Sequence, residues 1–242
     1  MNLLKSTVIT SALLASALNA QVLVEWSTTG LSGVTSGNLN STTTAADMQT
    51  GILSRGAGFT ASSLANGYSS NNLGGADSNT DSFELAITND SYYQFTISAS
   101  PDYQLDLDSF VFAYRATSTG ARYTQLAYSL DGFETAGVTI GTNSVLPSGS
   151  TTATSFSVAL DGVEDLQSVV GTVAFRLYGW NETNWANSGG AAIFTNGGVS
   201  TGILGTVSAA VPEPSTTAVI MGSLVFAGVV GLRRKRHASA RN

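Results

Sequence analysis

The chain has 242 residues with 26 Gly, 4 Pro and no Cys, and only 11% of its residues are charged, against roughly 25% in an average soluble domain. That composition excludes collagen, coiled coils and disulfide scaffolds. Polarity comes instead from 32 Ser and 29 Thr, and the 43% of hydrophobic residues supply enough apolar material for one core.

Residues 1–20, MNLLKSTVITSALLASALNA, open with one cation at Lys5, continue through an apolar run from Val8 to Leu18 and end on small residues. This is the pattern of a secretory signal peptide, taken by the Sec translocon and cut by signal peptidase. Cleavage after Ala17 or Ala20 fits, Ala20 being preferred, and an uncleaved anchor helix is the alternative.

The body, residues 21–210, has four basic residues, Arg55, Arg115, Arg122 and Arg176, against fifteen acidic ones, a formal charge of −11. Such a body repels phosphate backbones, so no nucleic-acid partner is expected, and an acidic polysaccharide would need a bridging cation. Neutral glycans or cations suit it better.

VLVEW at 22–26 reads as a strand. Residues 27–82, rich in Gly, Ser, Thr and Asn, are expected to form long loops with an edge strand or two. FELAI at 83–87 reads as another strand. Period-2 alternation then dominates: it groups Tyr93, Phe95 and Ile97; Phe110, Phe112 and Tyr114; Leu126, Tyr128 and Leu130; Phe156, Val158 and Leu160; and Val173, Phe175 and Leu177. AAIFT at 191–195 and ILGTVS at 203–208 complete the set. Turn signals such as Asp131-Gly132 and Asp161-Gly162 separate these runs. Eight or more short strands without intervening helices predict an all-β, antiparallel β-sandwich of jelly-roll type, with Phe112 and Phe175 in its core.

Chemistry is sparse in the body. The single His, His237, lies beyond it and there is no Cys, which rules out Ser-His-Asp and Cys-His triads and a His-ligated zinc site there. Asp106 and Asp108 share a strand face at a spacing that would suit glycoside hydrolysis, but Leu105 and Leu107 opposite them make this a solvated strand surface. Arg115 or Arg122 with a neighbouring Tyr could serve β-elimination on a uronate, although no spacing selects such a pair. Asp77, Asn79 and Asp81 are spaced like the first three ligands of a calcium loop, with Ser82 and Thr88 where Gly and Glu would complete it. Calcium is thus the one cofactor candidate, and a plain polar loop the alternative. Trp180 and Trp185 bracket Asn181, Glu182 and Asn184, the best patch for stacking on a sugar ring; core packing of Trp180 is the competing reading. Trp26 and Tyr68 are weaker candidates of the same type.

The C-terminal segment, 211–242, has three parts. Pro212, Glu213 and Pro214 favour extended chain; an apolar stretch follows from Ala218 to Leu232; Arg233, Arg234, Lys235 and Arg236 close it. Fifteen helical residues rise about 22 Å against a hydrocarbon layer of roughly 30 Å, so a transmembrane helix over about 216–232 would span only marginally. The basic cluster would stay in the cytoplasm and place the body on the far side of the membrane. This order, VPEPST, short Gly-containing helix, basic cluster, resembles the PEP-CTERM sorting signal of Gram-negative bacteria. The resemblance implies that Pro212–Pro214 is recognised by exosortase, a membrane transpeptidase that removes helix and tail, so that membrane contact is transient; such proteins accompany exopolysaccharide production. SYYQFTISASPDYQLDLDSFVFAYRATSTG, with YSLDGFE and VAFRLYGWN, resembles a β-sandwich module found ahead of such tails, over roughly residues 80–208, and implies no activity. Where members of that module carry Asp and Asn in the last strand, this chain has Phe194, Thr195 and Asn196. The expectation is an exported envelope or matrix protein with a structural or adhesive role and no catalysis. The alternative is a neutral-glycan binding module, and a glycan hydrolase or lyase is a third reading.

Overall fold

The computed structural model describes residues 20–71, 80–146, 152–182, 189–195 and 197–210. Of the expected signal peptide at 1–20 only Ala20 is described, and the expected transmembrane helix over about 216–232 and the basic tail lie outside the described residues. Among the described residues fifteen strands, one short α-helix and a 3₁₀ turn follow in order: β1 (Gln21–Trp26), β2 (Leu39–Asn40), β3 (Thr43–Thr44), β4 (Ile52–Arg55), β5 (Thr60–Ser62), β6 (Gly67–Asn71), α1 (Phe83–Thr88), β7 (Tyr92–Ser98), β8 (Tyr103–Ala116), β9 (Tyr123–Ser129), β10 (Val138–Val145), β11 (Thr154–Ala159), the 3₁₀ turn (Glu164–Leu166), β12 (Val169–Val170), β13 (Thr172–Trp180), β14 (Ala191–Phe194) and β15 (Thr201–Ala209).

The strands form two antiparallel sheets. One runs β3-β1-β15-β8-β14-β6-β5, with β11 and β12 also paired to β8, and the other runs β10-β9-β13-β7-β4-β2. The long strand β8 organises the first sheet, pairing β11 from Ser109 to Tyr114 and β14 from Ala113 to Ala116. Gly205 of β15 allows a close approach to it, since a Cβ there would lie 2.2 Å from the Asp106 carbonyl oxygen.

Alternation decides what lies between the sheets. Tyr93, Phe95 and Ile97 of β7, Phe110, Phe112 and Tyr114 of β8, and Val173, Phe175 and Leu177 of β13 are all buried, as their spacing predicts. Their rings interlock across the gap: Phe110 lies 5.0 Å from Phe95 and 5.6 Å from Phe175, and Trp26 of β1 lies 5.3 Å from Phe95. Asp106 and Asp108 stand opposite buried Leu105 and Leu107, and the Asp106 carboxylate accepts a hydrogen bond from the Ser168 amide at 2.8 Å.

Three expectations need correction. FELAI is the helix α1, not a strand: the Ser82 hydroxyl caps it by accepting from the Leu85 amide, and Ala86 is its buried residue while Leu85 and Ile87 face solvent. Apolar residues at 83, 85 and 87 imitate a strand, but the capped turn fixes the helix. Leu130 is 49% exposed because β9 ends at Ser129 and a turn built on Asp131 begins there. The described part of 27–82 holds five short strands, more than the edge strand or two expected: β2, β3 and β5 are sheet edges, but β4 is internal between β7 and β2, and β6 between β14 and β5. The β6 serines escape a polarity count because they are bonded inside the fold, Ser69 to Ser62 and Ser70 to Arg55.

Replacing Phe175 by Ala should lower the unfolding free energy by about 3–5 kcal/mol, whereas Leu130→Ala should change it by less than about 0.5 kcal/mol. Urea titrations of both variants check this, and near-native stability of the Phe175 variant would show that the strand faces had been assigned in reverse.

Candidate functional site

The outer face of the six-stranded sheet is where polar and aromatic side chains converge. On β13 the residues that alternate with the buried Val173, Phe175 and Leu177 are Arg176, Tyr178 and Trp180, so the strand is apolar on both faces towards its end. The helix α1 covers part of this outer surface, placing Phe83 5.6 Å from both Tyr178 and Trp180.

Arg176 is the centre of the arrangement. Its guanidinium carbon lies 4.1 Å from the ring centroid of Tyr92 and 4.1 Å from that of Phe133, a cation held between two π-faces. Nε donates to Gln94 Oε1 at 2.9 Å and Nη1 to the Tyr178 hydroxyl at 3.4 Å. Burial holds the Tyr92 phenol above its ordinary pKa, and the adjacent Arg176 charge opposes that shift.

Phe133 reaches the cation only through an unusual turn. Gly132 and Phe133 both have positive φ, 76° and 68°, a strained backbone for an aromatic residue. Asp131 holds it: the carboxylate accepts from the Ser129 hydroxyl, from the Phe133 and Thr135 amides and from the Thr135 hydroxyl. These bonds to the ionised form keep its pKa down at about 2. Gly137 leaves room for the ring, because a Cβ there would meet Phe133 Cε1 at 2.3 Å. The result is a groove of about 380 Å³ whose walls include Phe83, Phe133, Tyr178 and Arg176, with Asp90 and Glu134 also lining it. Aromatic surface beside fixed donors and acceptors is suited to a polyhydroxylated neutral ligand.

The sequence-derived candidates are distributed differently. Trp180 is 1% exposed, stacked on Tyr123 at 5.9 Å, with its indole N–H donating to Glu182 Oε1 at 3.3 Å. Asn181 is buried and spends its side-chain amide on the Ser118 and Gly120 carbonyls. Neither presents a face to a sugar; of that patch Glu182 is exposed, and Asn184 and Trp185 lie outside the described residues. Trp26 and Tyr68 are buried, Tyr68 beneath the Arg55 guanidinium at 3.6 Å. Of the calcium candidates, Asp77 and Asn79 lie outside the described residues, while Asp81 precedes the Ser82 cap of α1. The sorting residues Pro212, Glu213, Pro214, Arg233, Arg234, Lys235 and Arg236 also lie outside them.

The Arg176 groove was within reach of the sequence in one respect. In TVAFRLYGW the second face of the strand, Arg176, Tyr178 and Trp180, is aromatic where a solvated face should be polar. Its partner Phe133 carried no such signal.

The folded-state pKa of Asp131 is depressed below the ordinary 3.8, so its contribution to stability is complete above about pH 4 and fades as pH falls towards 2. Urea midpoints between pH 2 and 5 should therefore decline more steeply for the natural chain than for Asp131→Asn; parallel curves would contradict the role given to this carboxylate.

No curated protein and no solved structure matches the chain. Residues 210–236 match the family model of the PEP-CTERM protein-sorting motif. The chain is thus an antiparallel β-sandwich carrying a PEP-CTERM tail, the mark of an exported protein processed by the membrane enzyme exosortase.

Proposed function

We propose that the protein is a non-catalytic structural or adhesive component of the Gram-negative cell surface or of its exopolysaccharide matrix. The observation that carries this reading is the sorting motif at 210–236, joined to a body that has neither Cys nor His and only four cations. A surface rich in Ser and Thr hydroxyls exchanges hydrogen bonds with a hydrated glycan without needing fixed charge. On this reading the Sec translocon and signal peptidase act on residues 1–20, exosortase acts near Pro212–Pro214, and no cofactor is required. The strand succession β1-β15-β8-β11 opposite β7-β13-β9-β10 supports a jelly-roll connectivity for the scaffold.

A second reading, binding of a neutral glycan, is favoured by the groove in which Tyr92 and Phe133 flank Arg176. It moves the candidate sugar platform from the WNETNW segment to the outer face of β13.

Incubated with exopolysaccharide from its host, the purified protein should sediment with the polymer and leave the polymer's reducing-end content and length distribution unchanged. Shortened polymer would contradict the absence of catalysis, and failure to co-sediment would contradict adhesion. On an array of neutral glycans, a hit that Phe133→Ala removes would assign binding to the groove, and a blank array would exclude the second reading.

A further inference from the structure

Three of the four arginines of the body are committed within the fold. Arg55 donates to Ser70 Oγ and to the Ser69 carbonyl, Arg122 donates both Nε and Nη2 to the Leu146 carbonyl, and Arg176 is held between two rings. Arg115 has no hydrogen-bond or charge partner among the described residues. It is half-buried and lines a pocket of about 150 Å³ on the outer face of the nine-stranded sheet, together with Ser63, Leu64, Asn71 and Thr117. The side chains of Ser63 and Asn71 also make no hydrogen bond among the described residues.

Register explains why the guanidinium is open. Ala192 of β14 pairs with Arg115 on one side and with Ser69 on the other, and Ser69 pairs with Ser62. These four residues therefore share a face across four neighbouring strands, and an alanine and two serines are too small to cover the arginine. The two serine hydroxyls bond each other at 2.8 Å. Beyond them, Thr117 is fixed by its exchange with Gly190, accepting from the amide at 2.9 Å.

A planar guanidinium fork with no carboxylate partner among the described residues can take one from a ligand. The body's charge of −11 selects against polyanions and in favour of a ligand with a single negative group. Beside the fork, the Asn71 amide and the Ser63 hydroxyl can pair with hydroxyls adjacent to that carboxylate. The pocket of about 150 Å³ is small and open to solvent, so it seats the carboxylate end of one compact unit rather than enclosing a large ligand. We propose that this pocket binds a hydroxycarboxylate of sugar size, a single uronate unit, with Arg115 taking the carboxylate. It is a separate site from the Arg176 groove and does not rest on the adhesive reading.

Calorimetric titration of the full-length chain with sodium glucuronate tests this, with methyl glucoside and sodium sulfate as controls. Saturable binding of glucuronate is expected, with none of methyl glucoside and weaker binding of sulfate. Arg115→Gln should lower the affinity at least tenfold and Asn71→Ala should weaken it, while Phe133→Ala leaves it unchanged. Arg115→Gln should melt as the natural chain does, because the side chain bonds no described residue. Absence of glucuronate binding, equal binding of methyl glucoside or sulfate, or retained affinity in Arg115→Gln would each overturn the proposal, and none of these results would touch neutral-glycan binding at the groove.

Discussion

The body depends on interlocked rings between its two sheets. It has no Cys to close loops and few ions to pair, so cohesion falls to apolar burial, and the largest pieces of that burial are aromatic. Phe110 is the meeting point, edge-on to Phe95 and tilted against Phe175 and Phe112. Tyr93 extends the same contact set towards Tyr68 and Tyr114, and its hydroxyl is satisfied by donating to the Ala191 carbonyl at 2.8 Å. Because strands project alternate residues, fixing these rings inward also fixes which residues face out.

That consequence produces both surface features. On β13, Phe175 inward means Arg176 outward, where Tyr92 and Phe133 receive it. On β8, Tyr114 inward means Arg115 outward, over small neighbours that leave it uncovered. The two arginines are thus contrasting outcomes of the same geometry: one is stacked and bonded, the other is open. Among the described residues, Asp90 and Glu134 line the groove beside Arg176, whereas no acidic side chain lines the pocket beside Arg115.

Much of this was legible in the sequence wherever one strand face was apolar and the other polar. The alternations at 93–97, 110–114 and 173–177 found the core directly, and Leu105 and Leu107 assigned Asp106 and Asp108 to the solvated side. The pattern failed where tertiary bonds replaced hydrophobicity, as at Ser69 and Ser70 in the internal strand β6, and where a capped turn outweighed alternation, as at Ser82 before α1. Trp180 was ambiguous because a tryptophan at a strand end serves equally as a core plug or a platform, and only the ring of Tyr123 and the cover from Phe83 settle it. The groove required long-range information, since Phe133 meets Arg176 only after a turn at positive φ brings it over the sheet. The tail was read by the order of its parts alone.

The central claim is that this sandwich is cargo delivered outside the cytoplasm and released from a temporary membrane tether. Intact mass spectrometry of the protein recovered from envelope and matrix fractions of its host tests that most directly. A species lacking both the leader and the segment beyond the Pro212–Pro214 motif is the expected result. A full-length species, or one confined to the cytoplasm, would contradict the account.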